Sequence, residues 1–324
     1  MTRRSPTLGV GLVVLGATLF TVNAGVSRVA LRAGVDAAML TSIRATFTFL
    51  ILLVVALVFR RSSLQRPTGR LLVLVLAHGL VGVAALQWTY FVAIDRLPVG
   101  MALLLEYQAP ILVALYARVV LREQVSRSLW VGLVLAVGGL AAATEVWQGA
   151  KFDGLGVLAG LAAAACFAAY FVIGETAMSG DGPRLEPLQL ILWSFGVATV
   201  ALNVVVPLTG FDTGSLGDRV SLLGRLDGGH LPLWVVLGWV VVMGTVIPFF
   251  AELFALGFVR ATTVTVIAML EPIGVSALGW AWFGESLGVV AVIGCVAVVA
   301  GILVAQAARN ADPEHVHEAP PALT

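Results

Sequence analysis

Ten long apolar runs dominate this sequence and restrict what it can fold into. An apolar helix needs about 20 residues to cross the hydrocarbon core of a bilayer. The chain has 324 residues, of which 60% are hydrophobic and 11% are charged, and its mean hydropathy is +1.01. This composition excludes a water-soluble globular domain and predicts an integral membrane protein. The runs lie near 8–31, 36–59, 70–92, 98–121, 128–146, 154–175, 188–210, 233–257, 261–283 and 287–306.

The fold class follows from how a polypeptide backbone behaves in lipid. Backbone N–H and C=O groups in the hydrocarbon must be paired within the protein, so only helices or closed barrels span a membrane. The apolar runs lack the alternating pattern of barrel strands. We therefore predict an all-α integral membrane protein with ten transmembrane helices.

The arginines and the lysine predict the orientation of these helices. With the amino terminus placed in the cytoplasm, twelve of the 19 basic residues flank the spans on the cytoplasmic side and six on the other side. Because positive residues concentrate in cytoplasmic loops, we expect a multi-pass protein of the cytoplasmic membrane with both termini inside. The tail, 309–324, is rich in Pro and Glu and is predicted to be disordered.

An internal repeat links the two halves of the chain. A shift of 162 residues places Pro110 on Pro272, Glu123 on Glu285 and Gly139 on Gly301 without a gap. We predict one repeat over 1–146 and a second over 147–308, with five helices each. Because five is odd, the second copy enters the membrane in the opposite sense, an architecture typical of alternating-access carriers.

Two stretches carry a more specific resemblance. FVAIDRLPVGMALLLEYQAPILVALYARVVLREQVSRSLWVGLVLAVGGLAA and FALGFVRATTVTVIAMLEPIGVSALGWAWFGESLGVVAVIGCVAVVAGILV resemble two copies of the EamA-like domain of the drug/metabolite transporter superfamily. The shared pattern is a mid-helix proline, a glutamate at the end of that helix, a small turn and a glycine-bearing helix. The resemblance implies ten helices with cytoplasmic ends and transport of a small metabolite. The second copy departs from the family pattern because it has no counterpart of Arg44.

The two matched prolines predict breaks in the fourth and ninth helices. Pro110 cannot donate to the carbonyl of Glu106, and Pro272 cannot donate to that of Ala268. Freed carbonyls at this depth persist only where they face protein or a wet cavity. Glu271 directly precedes Pro272, so each half brings one acid toward the interface between the halves.

Ionisable and polar side chains within the spans form the predicted site, because charged groups in a membrane are costly and usually functional. A structural reading stays open for each: Glu106 could pair with Arg44 or a tyrosine, and Arg44 could brace helices instead of binding a carboxylate. Glu123 and Glu285 are predicted to be structural, each capping the following helix. The predicted substrate-binding or coupling residues are Glu106, Glu271, Glu252, Arg44, Asn23, Gln87, Tyr90 and Tyr107, and the predicted helix breaks are at Pro110 and Pro272.

The predicted function is secondary active transport of an amino acid or a related polar or amphipathic compound. Export is the first choice and uptake the alternative. A proton exchanged at Glu106 or Glu271 is a hypothesis, since burial disfavours a charged carboxyl. The expected partners are a small substrate, the lipid bilayer and no nucleic acid, in a monomer or homodimer without a metal or other cofactor. From another class, an intramembrane enzyme or sensor would use Glu106, Glu271 and His78 as acid–base groups, but the inverted repeat argues against it.

Overall fold

Helices make up most of the computed structural model, which describes residues 6–97, 99–143, 153–179, 183–284 and 288–310. The α-helices are α1 Pro6–Arg32, α2 Ala37–Phe59, α3 Arg70–Ala77, α4 Leu86–Arg96, α5 Val99–Glu106, α6 Ala109–Val119, α7 Arg127–Ala143, α8 Gly154–Met178, α9 Pro187–Val205, α10 Leu233–Val241, α11 Ile247–Ala255, α12 Ala261–Ala268, α13 Leu270–Leu278 and α14 Val289–Asn310. Three π-helical segments, His78–Ala85, Val242–Val246 and Gly279–Phe283, continue α3, α10 and α13.

Within the described residues, these elements form eight helical segments that are long and apolar enough to cross a membrane, and two shorter apolar helices, Arg127–Ala143 and Val289–Ala305. Large apolar side chains cover the outer surface, as in Val204 and Phe59, which are 80% and 76% exposed. Such a surface suits lipid rather than water. The prediction of a helical, multi-pass membrane protein is therefore confirmed, and the segments follow the predicted apolar runs in order.

One boundary prediction is wrong, and one loop contains short strands that were not predicted. The seventh run was expected to continue to residue 210, but α9 ends at Val205 because Pro207 disfavours helical backbone at the residue before it. The long loop near 211–232 also departs from the all-α prediction, since it contains an antiparallel pair, β1 Arg219–Ser221 and β2 His230–Pro232. Strands of three residues carry too little sequence pattern to be predicted.

Some predictions concern residues outside the described ranges. These are the boundary between the two repeats at 146/147, the matched Glu285, and residues 311–324 of the tail.

Helices α7 and α14 pack with their backbones in close contact along a row of glycines. A Cβ atom placed on Gly132 would lie 2.6 Å from the Gly301 carbonyl oxygen, and one on Gly139 would lie 2.8 Å from the Gly294 carbonyl oxygen. Only glycine permits this approach. Because the contacted residue number falls from 301 to 294 as the glycine number rises from 132 to 139, the two helices run antiparallel.

Helix α1 packs antiparallel against α11 by the same means. A Cβ atom placed on Gly9 would meet the Phe258 side chain at 2.8 Å, and one on Gly16 would meet that of Glu252 at 3.1 Å. This packing brings a glutamate of the second half against a helix of the first half.

Helix α8 packs antiparallel against α4 and the π-helical segment before it. A Cβ atom on Gly156 would meet the Leu97 side chain at 2.8 Å, and one on Gly82 would lie 3.0 Å from the Cα of Tyr170. The contact of α8, from the second half, with α4, from the first half, thus resembles the contact of α1, from the first half, with α11, from the second half.

Two further helix pairs run parallel. Helix α1 lies along α13, with Thr21 against Gly274 and a Cβ on Gly25 placed 2.8 Å from the Leu278 side chain. Helix α8 lies along α5 and the residues after it, with a Cβ on Gly160 placed 2.7 Å from Leu105 and the rings of Phe167 and Tyr107 6.0 Å apart. These pairs pack α1 of the first half on α13 of the second half, and α8 of the second half on α5 of the first half.

Candidate functional site

The fourth apolar run is interrupted just before Pro110. Helix α5 ends at Glu106 and α6 begins at Ala109, so the regular α-helix is interrupted over two residues. The Gln108 carbonyl starts the second helix by accepting from the Ile111 N–H at 3.0 Å. The Gln108 side chain donates back to the Leu104 carbonyl at 2.9 Å, which satisfies one acceptor at the end of α5.

The ninth apolar run is interrupted at the matching place. Helix α12 ends at Ala268 and α13 begins at Leu270, with Met269 between them donating to the Val266 carbonyl at 3.3 Å. Glu271 lies in the first turn of α13. The N-terminal end of a helix favours a negative charge at that position.

A hydrogen bond between the two broken helices joins the halves of the chain. The Tyr107 hydroxyl donates to Glu271 Oε2 at 2.7 Å, and the Tyr107 side chain is 2% exposed. Thr21 of α1 donates to the Glu271 backbone carbonyl at 3.4 Å. Glu271 is therefore held at the point where α1, α5 and α13 meet.

Two more glutamates lie near Glu271. Glu106, at the end of α5, is half-buried, and Glu252 of α11 is 2% exposed. Both are close enough to Glu271 for their charges to interact with it. The pairing of Glu106 with Arg44 or a tyrosine stays a prediction. The Tyr107 hydroxyl, on the residue after Glu106, donates to Glu271.

Arg44 links α2 to the second half. Its Nε donates to Thr245 Oγ1 at 3.0 Å, and Thr245 in turn donates to the Val240 carbonyl at 2.8 Å. The Arg44 charge interacts with that of Glu271, although no carboxylate oxygen of the described residues lies within 4.0 Å of its guanidinium nitrogens. This hydrogen bond joins α2 to the π-helical segment Val242–Val246 of the second half, while the choice between helix bracing and carboxylate binding by Arg44 stays a prediction.

The smaller polar residues of the predicted site fall into two groups. Asn23 is 6% exposed, packs on Gly244 and accepts from Ser27 at 3.4 Å. Gln87 is 8% exposed, and neither atom of its amide has a partner among the described residues. Tyr90 is half-buried and lies near enough to interact with the charges of both Glu106 and Glu271. Tyr90 therefore lies near the glutamates, whereas Asn23 contacts Ser27 and Gly244, and the lining role predicted for Asn23, Gln87 and Tyr90 stays a prediction.

The structure adds features that the sequence did not predict. The repeat offset of 162 residues places the π-helical segment Val242–Val246 on residues 80–84. These residues lie within another of the three π-helical segments, His78–Ala85. Such segments are rare and often occur at functional sites. Thr245, the Arg44 partner, lies in one of them. In the sequence, the only feature that pointed toward Thr245 was the buried Arg44, which needs a hydrogen-bond acceptor.

His78 lies apart from the hydrogen-bonded pair of Tyr107 and Glu271. Its Nδ1 is 2.9 Å from Ser194 Oγ, and its ring centroid is 4.6 Å from that of Tyr170. Its side chain is fully buried between α8 and α9. These contacts describe a packed core histidine.

Glu123 does not cap the next helix as predicted. It forms an ion pair with Arg260, at the start of α12, while Ser126 Oγ accepts from the Leu129 N–H at 3.2 Å and so caps α7. Glu175, at the end of α8, accepts from the Ala261 N–H at 3.4 Å. Glu123, in the loop after α6, and Glu175, at the end of α8, therefore both bind the beginning of α12.

Among the described residues, no group of three or more His, Cys, Asp or Glu side chains is arranged to hold a metal ion. The polar groups of the site are carboxylates, hydroxyls, an amide and one guanidinium, placed where broken helices meet. These features define a polytopic helical membrane protein with a buried polar site between its halves.

The chain belongs to the EamA-like transporter family, whose pattern matches residues 7–144 and 154–306. This confirms the resemblance to the EamA-like group of the drug/metabolite transporter superfamily. The two matched stretches cover both halves of the chain. The family points to a transporter rather than an enzyme.

Individual relatives agree with this assignment. An uncharacterised transporter of Archaeoglobus fulgidus is 28% identical over 299 residues, which cover 92% of this chain and 96% of that protein. The threonine/homoserine exporter RhtA of Salmonella typhimurium strain LT2 is 26% identical over 226 residues, covering 69% and 68% of the two chains. A solved crystal structure that is 18% identical superposes with a TM-score of 0.74 over 95% of this chain and 100% of the other, so the two share a fold.

Proposed function

We propose that this protein is a secondary active transporter that moves an amino acid or a related polar or amphipathic metabolite across the cytoplasmic membrane by alternating access. Export is the favoured direction, and the similarity to an exporter of threonine and homoserine supports it. Uptake by the same fold is the alternative.

The proposal includes ten spans arranged as two inverted repeats, which the helix directions support. Helix α1 is parallel to α13 and α8 is parallel to α5. The fourth and ninth runs are antiparallel, because Tyr107 contacts Glu271 while the later Glu123 contacts the earlier Arg260. It follows that α1 and α8, the first helices of the two repeats, point in opposite directions. Carriers with inverted repeats bind substrate where the repeats meet.

We place both termini in the cytoplasm, as the distribution of basic residues favours. In this orientation the ion pair of Glu123 and Arg260 lies at the cytoplasmic face. The hairpin of β1 and β2 then lies on the outer side.

The hydrogen bond from Tyr107 to Glu271 is the observation that carries the site assignment. It joins the two broken helices at equivalent places in the two halves, where a change in their relative position would make or break it. In our proposal Glu106 and Glu271 meet the substrate amine or a proton, and Glu252 stands behind Glu271. Arg44 faces a substrate carboxylate or braces α2, and Gln87 and Tyr90 line the same space.

Proton exchange is part of the proposal. A carboxyl group held away from water can release its proton when a cationic substrate arrives and take one up when the substrate leaves. Proton and substrate would then compete for the same carboxylates, which couples their movements in opposite directions.

Transport in liposomes tests the proposal. The purified protein is reconstituted, a pH gradient is imposed, and movement of labelled amino acids is followed for the wild type, Glu106→Gln and Glu271→Gln. Glu186→Gln provides the control, because Glu186 is exposed and lies just before α9. Its Oε1 is 3.9 Å from Arg60 Nη1. We expect the gradient to drive transport in the wild type and the control, and both site variants to lose this response. Equal transport with and without the gradient, or in all four proteins, would contradict the coupling.

An intramembrane enzyme or sensor remains the competing class. It predicts chemical turnover or a signal without net movement of a compound. The contacts of His78 with Ser194 and Tyr170 weigh against the acid–base set of that alternative.

A further inference from the structure

A groove between α2 and α10 lies apart from the polar site and has a volume of about 420 Å³. We propose that this groove binds one acyl chain of a bilayer phospholipid and holds it between the two helices. The proposal goes beyond the carrier function and does not depend on it.

The walls of the groove suit hydrocarbon. They consist of apolar side chains, such as Phe47 of α2 and Leu237 of α10, together with Gly238 and Thr213. Among the described residues that line the groove, none is charged. An apolar cavity of this kind stays dry and binds apolar molecules. An acyl chain would make dispersion contacts along both walls that an empty groove forgoes.

The groove is elongated along both helices. Its lining extends from Ile43 to Ile51 on α2, and from Trp234 to Val242 along α10 and the first residue of the π-helical segment that follows. Eight residues of helix cover about 12 Å. A slot of this length fits an extended chain.

The loop between α9 and α10 places one end of the groove at a membrane face. A Cβ on Gly210 of this loop would lie 3.6 Å from the Met39 methyl group at the start of α2, and the Leu233 N–H at the start of α10 donates to the Asp218 carbonyl at 2.9 Å. Trp234, an exposed residue in the first turn of α10, lines the groove near this end. Tryptophan is enriched at membrane–water interfaces. The groove therefore starts at the interface and runs toward the hydrocarbon, as a lipid chain does below its headgroup.

The groove is continuous with the lipid-facing surface, which identifies its occupant. Phe47 lines the groove and is exposed, as are Leu50 and Val54 further along α2. Leu237 and Val241 also line the groove, but they are only 6% and 5% exposed. Acyl chains surround the protein at this depth and have a path in from the side. A chain that contacts Leu237 and Val241 must lie inside the groove.

Photo-crosslinking from a lipid chain tests this inference. The full-length protein is reconstituted in vesicles that contain phosphatidylcholine with a diazirine in one acyl chain, irradiated, and digested, and the adducts are located by mass spectrometry. We expect Leu237 and Val241 to be labelled about as strongly as Val204, which is 80% exposed. Lipid that merely surrounds the protein would label them more than tenfold less than Val204, in line with their exposed fractions, and this result would overturn the inference.

A substitution that fills the groove connects the labelling to it. Gly238 lines the groove, and a Cβ there meets nothing within 4 Å, so Gly238→Phe can place its ring in the open space. We expect this variant to lower the labelling of Leu237 and Val241 more than tenfold, to the level set by their exposed fractions, and to leave that of Val204 unchanged. Gly238→Leu provides the same comparison with a smaller side chain if Gly238→Phe does not fold.

The matched control is Gly11→Phe, at an exposed glycine of α1 where a Cβ also meets nothing within 4 Å. It should leave all three labelling levels unchanged. Undiminished labelling of Leu237 and Val241 in the folded Gly238 variants would refute the assignment. Labelling that disappears from the wild type as the ratio of protein to lipid rises would assign the groove to a second copy of the chain, and would also refute it.

Discussion

A single added methyl group at Gly139 should weaken the contact between α7 and α14, whereas the same change at Gly138 should not. A Cβ on Gly139 would lie 2.6 Å from the Val298 nitrogen and 2.8 Å from the Gly294 carbonyl oxygen. Carbon atoms make favourable contacts at about 3.5–4.0 Å, so the helices must separate by roughly 1 Å. Overpacking of this kind costs about 1–3 kcal/mol.

Gly138 is a closely matched control because it is the neighbouring residue on the same helix, and a Cβ there meets nothing within 4 Å. Both changes gain the same helix propensity, about 1 kcal/mol for alanine over glycine, so their difference isolates the packing cost. Unfolding in mixed micelles, followed by denaturant titration, should show Gly139→Ala less stable than Gly138→Ala by about 1–3 kcal/mol. Equal stability of the two variants would refute the close packing of these helices.

Three further changes test other contacts. Tyr107→Phe should destabilise the protein by about 0.5–2 kcal/mol, and this loss should disappear in a Glu271→Leu background, which has no acceptor for the Tyr107 hydroxyl, as a double-mutant cycle of unfolding free energies would show. Glu123→Gln should loosen the start of α12 and increase labelling of that membrane face by an impermeant thiol reagent at an introduced cysteine, compared with the parent protein. The pKa of the Asp153 carboxyl is lowered in the folded protein, chiefly by the hydrogen bond from the Gly156 N–H. The Asp153 carboxylate therefore stabilises the folded protein above its unfolded pKa of about 3.9. This stabilisation is lost as the pH falls through the lower pKa of the folded state. Asp153→Asn should remove this part of the pH dependence of the melting temperature, which begins below about pH 5.

The sequence predicted the parts of the fold that depend on local composition. Apolar runs of about 20 residues have one stable arrangement in lipid, so the helical membrane fold followed from them. A proline removes a backbone hydrogen bond from its own helix, whatever that helix packs against. The interruptions of the fourth and ninth runs accordingly lie next to Pro110 and Pro272. The end of the seventh run was predicted too late in the sequence. Apolar residues continue beyond Val205, but Pro207 restricts the backbone of the residue before it and the helix ends.

Contacts between distant residues could not be read in the same way. Glu123 was predicted to cap its own neighbour, but its partner Arg260 is 137 residues away, and the choice between them depends on how the halves pack. Likewise, Arg44 binds Thr245 because a π-helical segment of the other half presents a hydroxyl at that place. Tyr107 and Glu271 were both expected in the site, yet their hydrogen bond depends on the relative placement of two broken helices.

Counterflow in liposomes tests the carrier assignment most directly. Vesicles containing the protein are loaded with an excess of the tightest-binding unlabelled compound and diluted into a trace of the same compound in labelled form. Alternating access predicts that the label accumulates transiently above its equilibrium level, because each outward step returns a labelled molecule. We expect this overshoot in the wild type and in Glu186→Gln and its loss in Glu271→Gln. Simple equilibration without an overshoot in the wild type, or conversion of the compound without net movement, would contradict the assignment.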